Sequence, residues 1–161
     1  DLHSFPTRRS SDLVGVLEGD HRQKSHLEAA RLVKTCLDEG YDFDGVVAMG
    51  DRPALGVENA LKARGIGVGT DVLLVGMDNS LYSQVASPSI SSVDRDVDQL
   101  AERGVEALLR LLADEEAPSL DVIVPHSIVE RETTLGPGAA ETEGGHNGSG
   151  NESCQVVFCR R

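Results

Sequence analysis

Aspartates follow each of the first four short apolar runs of the chain. Asp20 comes after the run 14–17 (VGVL), Asp51 after 45–49 (GVVAM), Asp78 after 72–76 (VLLVG), and Asp94 with Asp96 after 90–93 (ISSV). A carboxylate held at the end of a buried run can accept hydrogen bonds from a ligand hydroxyl, cap a helix, or help bind a divalent cation. At Asp51 two of these readings stay open: Arg52 and Pro53 follow at once, so Asp51 either caps the next helix or contacts a ligand, with Arg52 beside it. No helical pattern begins directly after Asp78, which leaves its carboxylate without an obvious local backbone partner. Contact with a ligand is therefore expected of Asp78. Asp94, Asp96 and Asp98 read mainly as helix N-terminus chemistry, with a metal site as the lesser alternative, and Asp96 with Gln99 makes a capping pair. No metal is assigned.

Catalytic patterns do not stand out. No Ser-His-Asp, Cys-His or paired-carboxylate arrangement rises above background, and the five His residues show no metal-binding spacing. The glycine run 65–69 (GIGVG) follows a helical pattern and precedes a strand. A dinucleotide fingerprint needs the reverse order, so this run reads as a helix stop and turn. Cys154 and Cys159 read as incidental thiols in a tail rather than as half of a zinc site. The expectation is a binding protein, not an enzyme, with no cofactor.

The elements that must place these residues alternate. Ala29, Leu32, Val33, Cys36 and Leu37 follow the spacing of a helix face, and Gly40 stops it. Pro53 opens a second helix with Ala54, Val57 and Leu61 inside. Val97, Leu100, Ala101, Leu108, Leu109 and Leu112 give a long amphipathic helix, and residues 122–129 close the order as a strand. Strands joined by helices imply parallel pairing, so the expected architecture is an α/β open parallel sheet with helices on both faces. Ligands on such sheets bind outside the carboxyl ends of the strands, where the aspartates fall.

Composition narrows the partners. The 161 residues suit one domain, or one lobe of a larger protein. Asp and Glu number 27 against 15 Lys and Arg, a net charge of -12, which argues against a chain that neutralises phosphates by itself. Aromatic residues make up 3%, too few for base-stacking platforms. No apolar run is long enough to span a bilayer, so no membrane partner is expected. Three cysteines, an odd number, fit a reducing cytoplasm better than a disulfide framework. Residues 1–13 and 135–161 are expected to be disordered, the second because its Gly-rich acidic stretch cannot bury enough area. The run 3–13 (HSFPTRRSSDL) also resembles the in-frame translation of a sequencing adapter, which sets it outside the fold.

Four segments in register resemble the lactose-repressor/galactose-repressor family: 43–56 (FDGVVAMGDRPALG), 60–79 (ALKARGIGVGTDVLLVGMDN), 87–93 (SPSISSV) and 125–134 (PHSIVERETT). The resemblance implies a partial periplasmic-binding-protein-like effector domain over residues 14–134, mainly its C-terminal lobe. The helix-turn-helix that reads operator DNA and most of the first lobe then belong to a part of the gene not represented here. It further implies that a sugar or small metabolite binds between lobes, with Asp78 accepting from its hydroxyls and His21 where some members place an aromatic ring. A homodimer is implied, with Leu55 on the helix beginning near Pro53 and Tyr82 as contacts. Gly50 and Met77 depart from the residues usual at their positions, which bears on which effector is bound. The alternative is part of a sugar-binding protein serving a transporter.

Overall fold

A computed structural model of the chain describes residues 13–18, 25–113, 123–138, 142–143 and 155–159. The elements in chain order are β1 (Leu13–Glu18), α1 (Ser25–Asp38), β2 (Gly45–Ala48), α2 (Asp51–Lys62), β3 (Leu73–Met77), α3 (Leu81–Val85), β4 (Ser91–Asp94), α4 (Val97–Leu112), β5 (Ser127–Glu130), α5 (Glu132–Leu135), β6 (Thr142–Glu143) and β7 (Gln155–Cys159). One sheet holds all seven strands in the order β1-β7-β2-β3-β4-β5-β6.

The centre is the expected parallel unit. β2 pairs with β3 and β3 with β4, all parallel. Along β2, Val46 and Ala48 are buried while Val47 between them is exposed, the alternation of a strand covered on one face. That covered face meets α2, whose Ala54, Val57 and Leu61 complete the core with Val33 and Cys36 of α1, Leu74 of β3 and Ile90. Backbone of α1 comes up against α2 at residue 56, which is glycine. A Cβ there would overlap the backbone carbonyl of His26.

The flanks correct the all-parallel expectation: the sheet is mixed. β4 and β5 are antiparallel, and so are β5 and β6. A parallel return needs a crossover helix packed on the sheet, and α4, which separates β4 from β5, buries no residue. The expected closing strand shortens accordingly to Ser127–Glu130. On the other flank β7 enters antiparallel between β1 and β2. Both β6 and β7 fall in the tail expected to lack structure, and β1 begins at Leu13, the last residue of the expected disordered arm. The run of Val156, Val157 and Phe158 is short, but its residue types favour extended backbone, and it pairs with both β1 and β2. Residues 1–12 and the remainder of the tail lie outside the described residues.

Candidate functional site

The loop between β3 and α3 has a backbone that few residues tolerate. Asp78 has φ 100° and Asn79 φ 46°, a region that Asn and Asp enter more readily than other side chains. The Asp78 amide donates to the Val93 carbonyl at 2.8 Å, tying the loop to the end of β4. Its carboxylate is partly exposed, and Oδ1 accepts from Arg95 Nη2 at 2.5 Å. Asn79 turns the other way: its Nδ2 donates to Asp94 Oδ2 at 2.9 Å.

Beneath the loop lies Asp51, 1% exposed. Its Oδ2 accepts from the Ser80 amide at 2.6 Å and from Ser80 Oγ at 2.8 Å, and its Oδ1 from Ser92 Oγ at 2.6 Å. Gly76 gives this carboxylate its room, because a Cβ on Gly76 would overlap Oδ1. The capping reading of Asp51 taken from the sequence is thereby corrected. The residue before α2 is Gly50, with no side-chain cap, and Asp51 holds the β3–α3 loop from below with both oxygens engaged. Its partners stand 29 and 41 positions away, a separation invisible to any local pattern.

Above the loop is a cavity of about 410 Å³, lined by Asp78, Asn79, Asp94, Asp96, Asp98, Val97, Pro125 and Ser127. It opens at the carboxyl ends of β3 and β4, where an α/β sheet is expected to bind. Asp96 caps α4 as expected, accepting from the Gln99 amide at 3.1 Å. Among the described residues no cluster of His, Cys, Asp and Glu is arranged to hold a metal ion. The polar groups lining the cavity are mostly carboxylate acceptors, with an amide and a hydroxyl among them and Val97 and Pro125 beside them, suited to a ligand rich in O–H or N–H donors.

The remaining expected site residues lie apart. Arg52 is exposed on α2, its guanidinium 5.5 Å from the centre of the Tyr82 ring, and it does not line the cavity. Leu55 is half-buried, while Tyr82 stands exposed on α3 beside Leu81 and Val85. His21 lies outside the described residues. Sequence reasoning gave no role to Arg95 or Arg131. Arg95 carried a signal in its place between Asp94 and Asp96. Arg131 was quoted within a motif but had no partner suggested by spacing.

The sequence profile of the periplasmic binding protein-like domain family matches residues 12–134. The chain belongs to that family. This periplasmic binding protein-like domain is 29% identical to the lactose operon repressor of Escherichia coli (strain K12) over 135 residues, 84% of the chain and 36% of the repressor. It superposes on the lac repressor dimer bound to operator and the anti-inducer ONPF with a TM-score of 0.64 at 28% identity, covering 68% of this chain and 33% of that one. A regulator of the same repressor family from Arthrobacter sp. FB24, in complex with lactose, gives 0.64 at 29% identity, covering 70% and 41%. The domain thus spans about a third of the length of the curated relatives it matches. Among the described residues no helix is long and apolar enough to cross a membrane.

Proposed function

We propose that this domain is the effector-sensing part of a cytoplasmic transcription regulator. A sugar or similar polyol binds in the cavity over the β3–α3 loop, and two protomers meet through α2 and α3, with Leu55 and Tyr82 in the contact. Operator DNA is read by a helix-turn-helix elsewhere in the whole protein. Binding, not catalysis, is the activity of the site. One observation carries this reading: Asp78, on a left-handed corner fixed from below by Asp51 and from the side by Arg95, presents a partly exposed carboxylate to a cavity lined with acceptors. A charge-assisted hydrogen bond to a ligand hydroxyl contributes about 1.5–3 kcal/mol net. The similarity to repressors seen with sugar ligands and operator supports this reading over a component of a transporter.

The test is calorimetric titration of the full-length regulator with a panel of neutral sugars that includes lactose and cellobiose. Replacing Asp78 by Ala should weaken binding by about tenfold or more and leave operator affinity without effector nearly unchanged, since effector and DNA are linked only through the equilibrium between conformations. Unchanged sugar affinity in this variant removes Asp78 from the site.

A further inference from the structure

At the end of β5, Arg131 is 4% exposed, and its guanidinium donates in two directions. Nη2 donates to Asn79 Oδ1 at 2.5 Å, on the loop that carries Asp78. Nη1 donates to the Ile90 carbonyl at 2.9 Å and to Ser83 Oγ at 3.3 Å. Ser83 is the buried residue of α3, and its hydroxyl donates to the Ser80 carbonyl at 2.8 Å. Leu81, Tyr82 and Val85 of the same short helix are exposed.

Two physical properties make this more than a brace. The guanidinium is planar, with its donors in fixed relation, so it cannot follow a displaced Asn79 without turning its other edge against Ser83 and Ile90. A buried cation that loses an acceptor is not compensated by water, so the arrangement favours moving the partners together over breaking a bond. Asn79 lines the cavity, and Ser83 is the inner side of a helix whose outer side is apolar.

We infer that Arg131 is a positioning residue that couples the loop 78–80 to α3, so that occupation of the cavity shifts the surface formed by Leu81, Tyr82 and Val85. The functional consequence rests on the reading of that cavity as the effector site and of that surface as a protomer contact. The mechanical coupling depends on neither. By linkage the effect is reciprocal: a protomer seated on α3 alters the loop's affinity for effector by the same factor.

Amide hydrogen exchange in the full-length protein tests the coupling without a ligand. Asn79→Ala removes the acceptor for Arg131 and also the donor to Asp94. The double variant Asn79→Asp with Asp94→Asn keeps an oxygen for Arg131 and reverses the hydrogen bond to position 94, so that two carboxylates do not meet there. Exchange at the Ser83 amide, which donates to the Ser80 carbonyl, should accelerate about fivefold in Asn79→Ala, the scale of one net hydrogen bond, and return to the wild-type rate in the double variant. No acceleration in the first variant, or equal acceleration in both, overturns the coupling. Sedimentation equilibrium of the same proteins reads the consequence: the dimer dissociation constant should rise in Asn79→Ala and recover in the double variant. A wild-type protein that stays monomeric and ignores the sugar panel removes the functional reading, while the exchange result still decides the coupling.

Discussion

Helices α2 and α4 carry the same kind of pattern, an apolar stripe at helical spacing, and meet opposite fates. α2 buries Ala54, Val57, Ala60 and Leu61 against β2, β3 and α1, and even holds Asp51 and Glu58 out of water. α4 buries nothing: Leu100, Leu108, Leu109 and Leu112 are all exposed. The opposite face of the sheet is similarly bare at Val47 and Ile128. Periodicity therefore states that a face is apolar, whereas packing depends on whether a complementary surface arrives. Only where α1 and α2 close over one face of the sheet does pattern become stability.

Paired substitutions sharpen that contrast. The largest difference should come from truncating leucines: Leu61→Ala removes a fully buried side chain and should cost about 2–5 kcal/mol, whereas Leu109→Ala, well exposed, should stay within about 0.5 kcal/mol. Urea unfolding of both reads the gap, and equal losses would mean that α4 is packed in solution. Glycines come next and differ in sign. Gly56→Ala drives a methyl into the backbone of α1 and should cost about 1–3 kcal/mol by overpacking, while Gly104→Ala on α4 meets open space and should stabilise by roughly 1 kcal/mol through helix propensity. A shared sign in these two midpoints breaks the comparison.

The smallest effect is one of pH. Burial pushes the Glu58 carboxyl above its ordinary value, although Lys62 Nζ at 2.5 Å pulls the other way. The folded state then holds its proton more tightly than the unfolded state. Stability from this group is fully present below about 4.5, the ordinary carboxyl value, and is lost as pH rises through the elevated one. Glu132 behaves oppositely. Hydrogen bonds from the Ser89 and Gly138 amides lower its value, so its contribution is present above the ordinary range and lost on acidification. Melting Glu58→Gln between pH 4 and pH 7, a window set about the ordinary glutamate value, should give a curve that falls less with rising pH than wild type. An unchanged slope removes Glu58 as its source.

Sequence pattern made the helices α1, α2 and α4 and the parallel strands β2, β3 and β4 legible, because each is written in a local repeat. The Asp96 cap was legible for the same reason, since its partner is three residues on. The position of Asp78 at a strand's end was readable, and Arg95 stood out between two aspartates, but their pairing across 17 positions was not. Asp51 shows the limit most clearly: its place before Pro53 suggests a cap, and only the fold brings Ser80 and Ser92 to its oxygens. Arg131 reaches residues about fifty positions away through hydrogen bonds, which leave no periodic trace. The antiparallel flanks were hidden because strand direction depends on whether the intervening helix packs, which α4 does not.

Cys36, on the buried side of α1, is 4% exposed, and burial raises its thiol's pKa, with Glu39 adding to the effect. Only a thiolate reacts readily with a disulfide reagent, so this sulfur is doubly silenced while α1 stays seated. Its labelling rate therefore becomes a clock for the departure of α1 from α2. In a protein whose other cysteines, Cys154 and Cys159, are changed to serine, the rate of colour release from an aromatic disulfide counts openings of this one seam. The same clock run with and without a sugar tells whether closing the far end of the sheet also tightens this one.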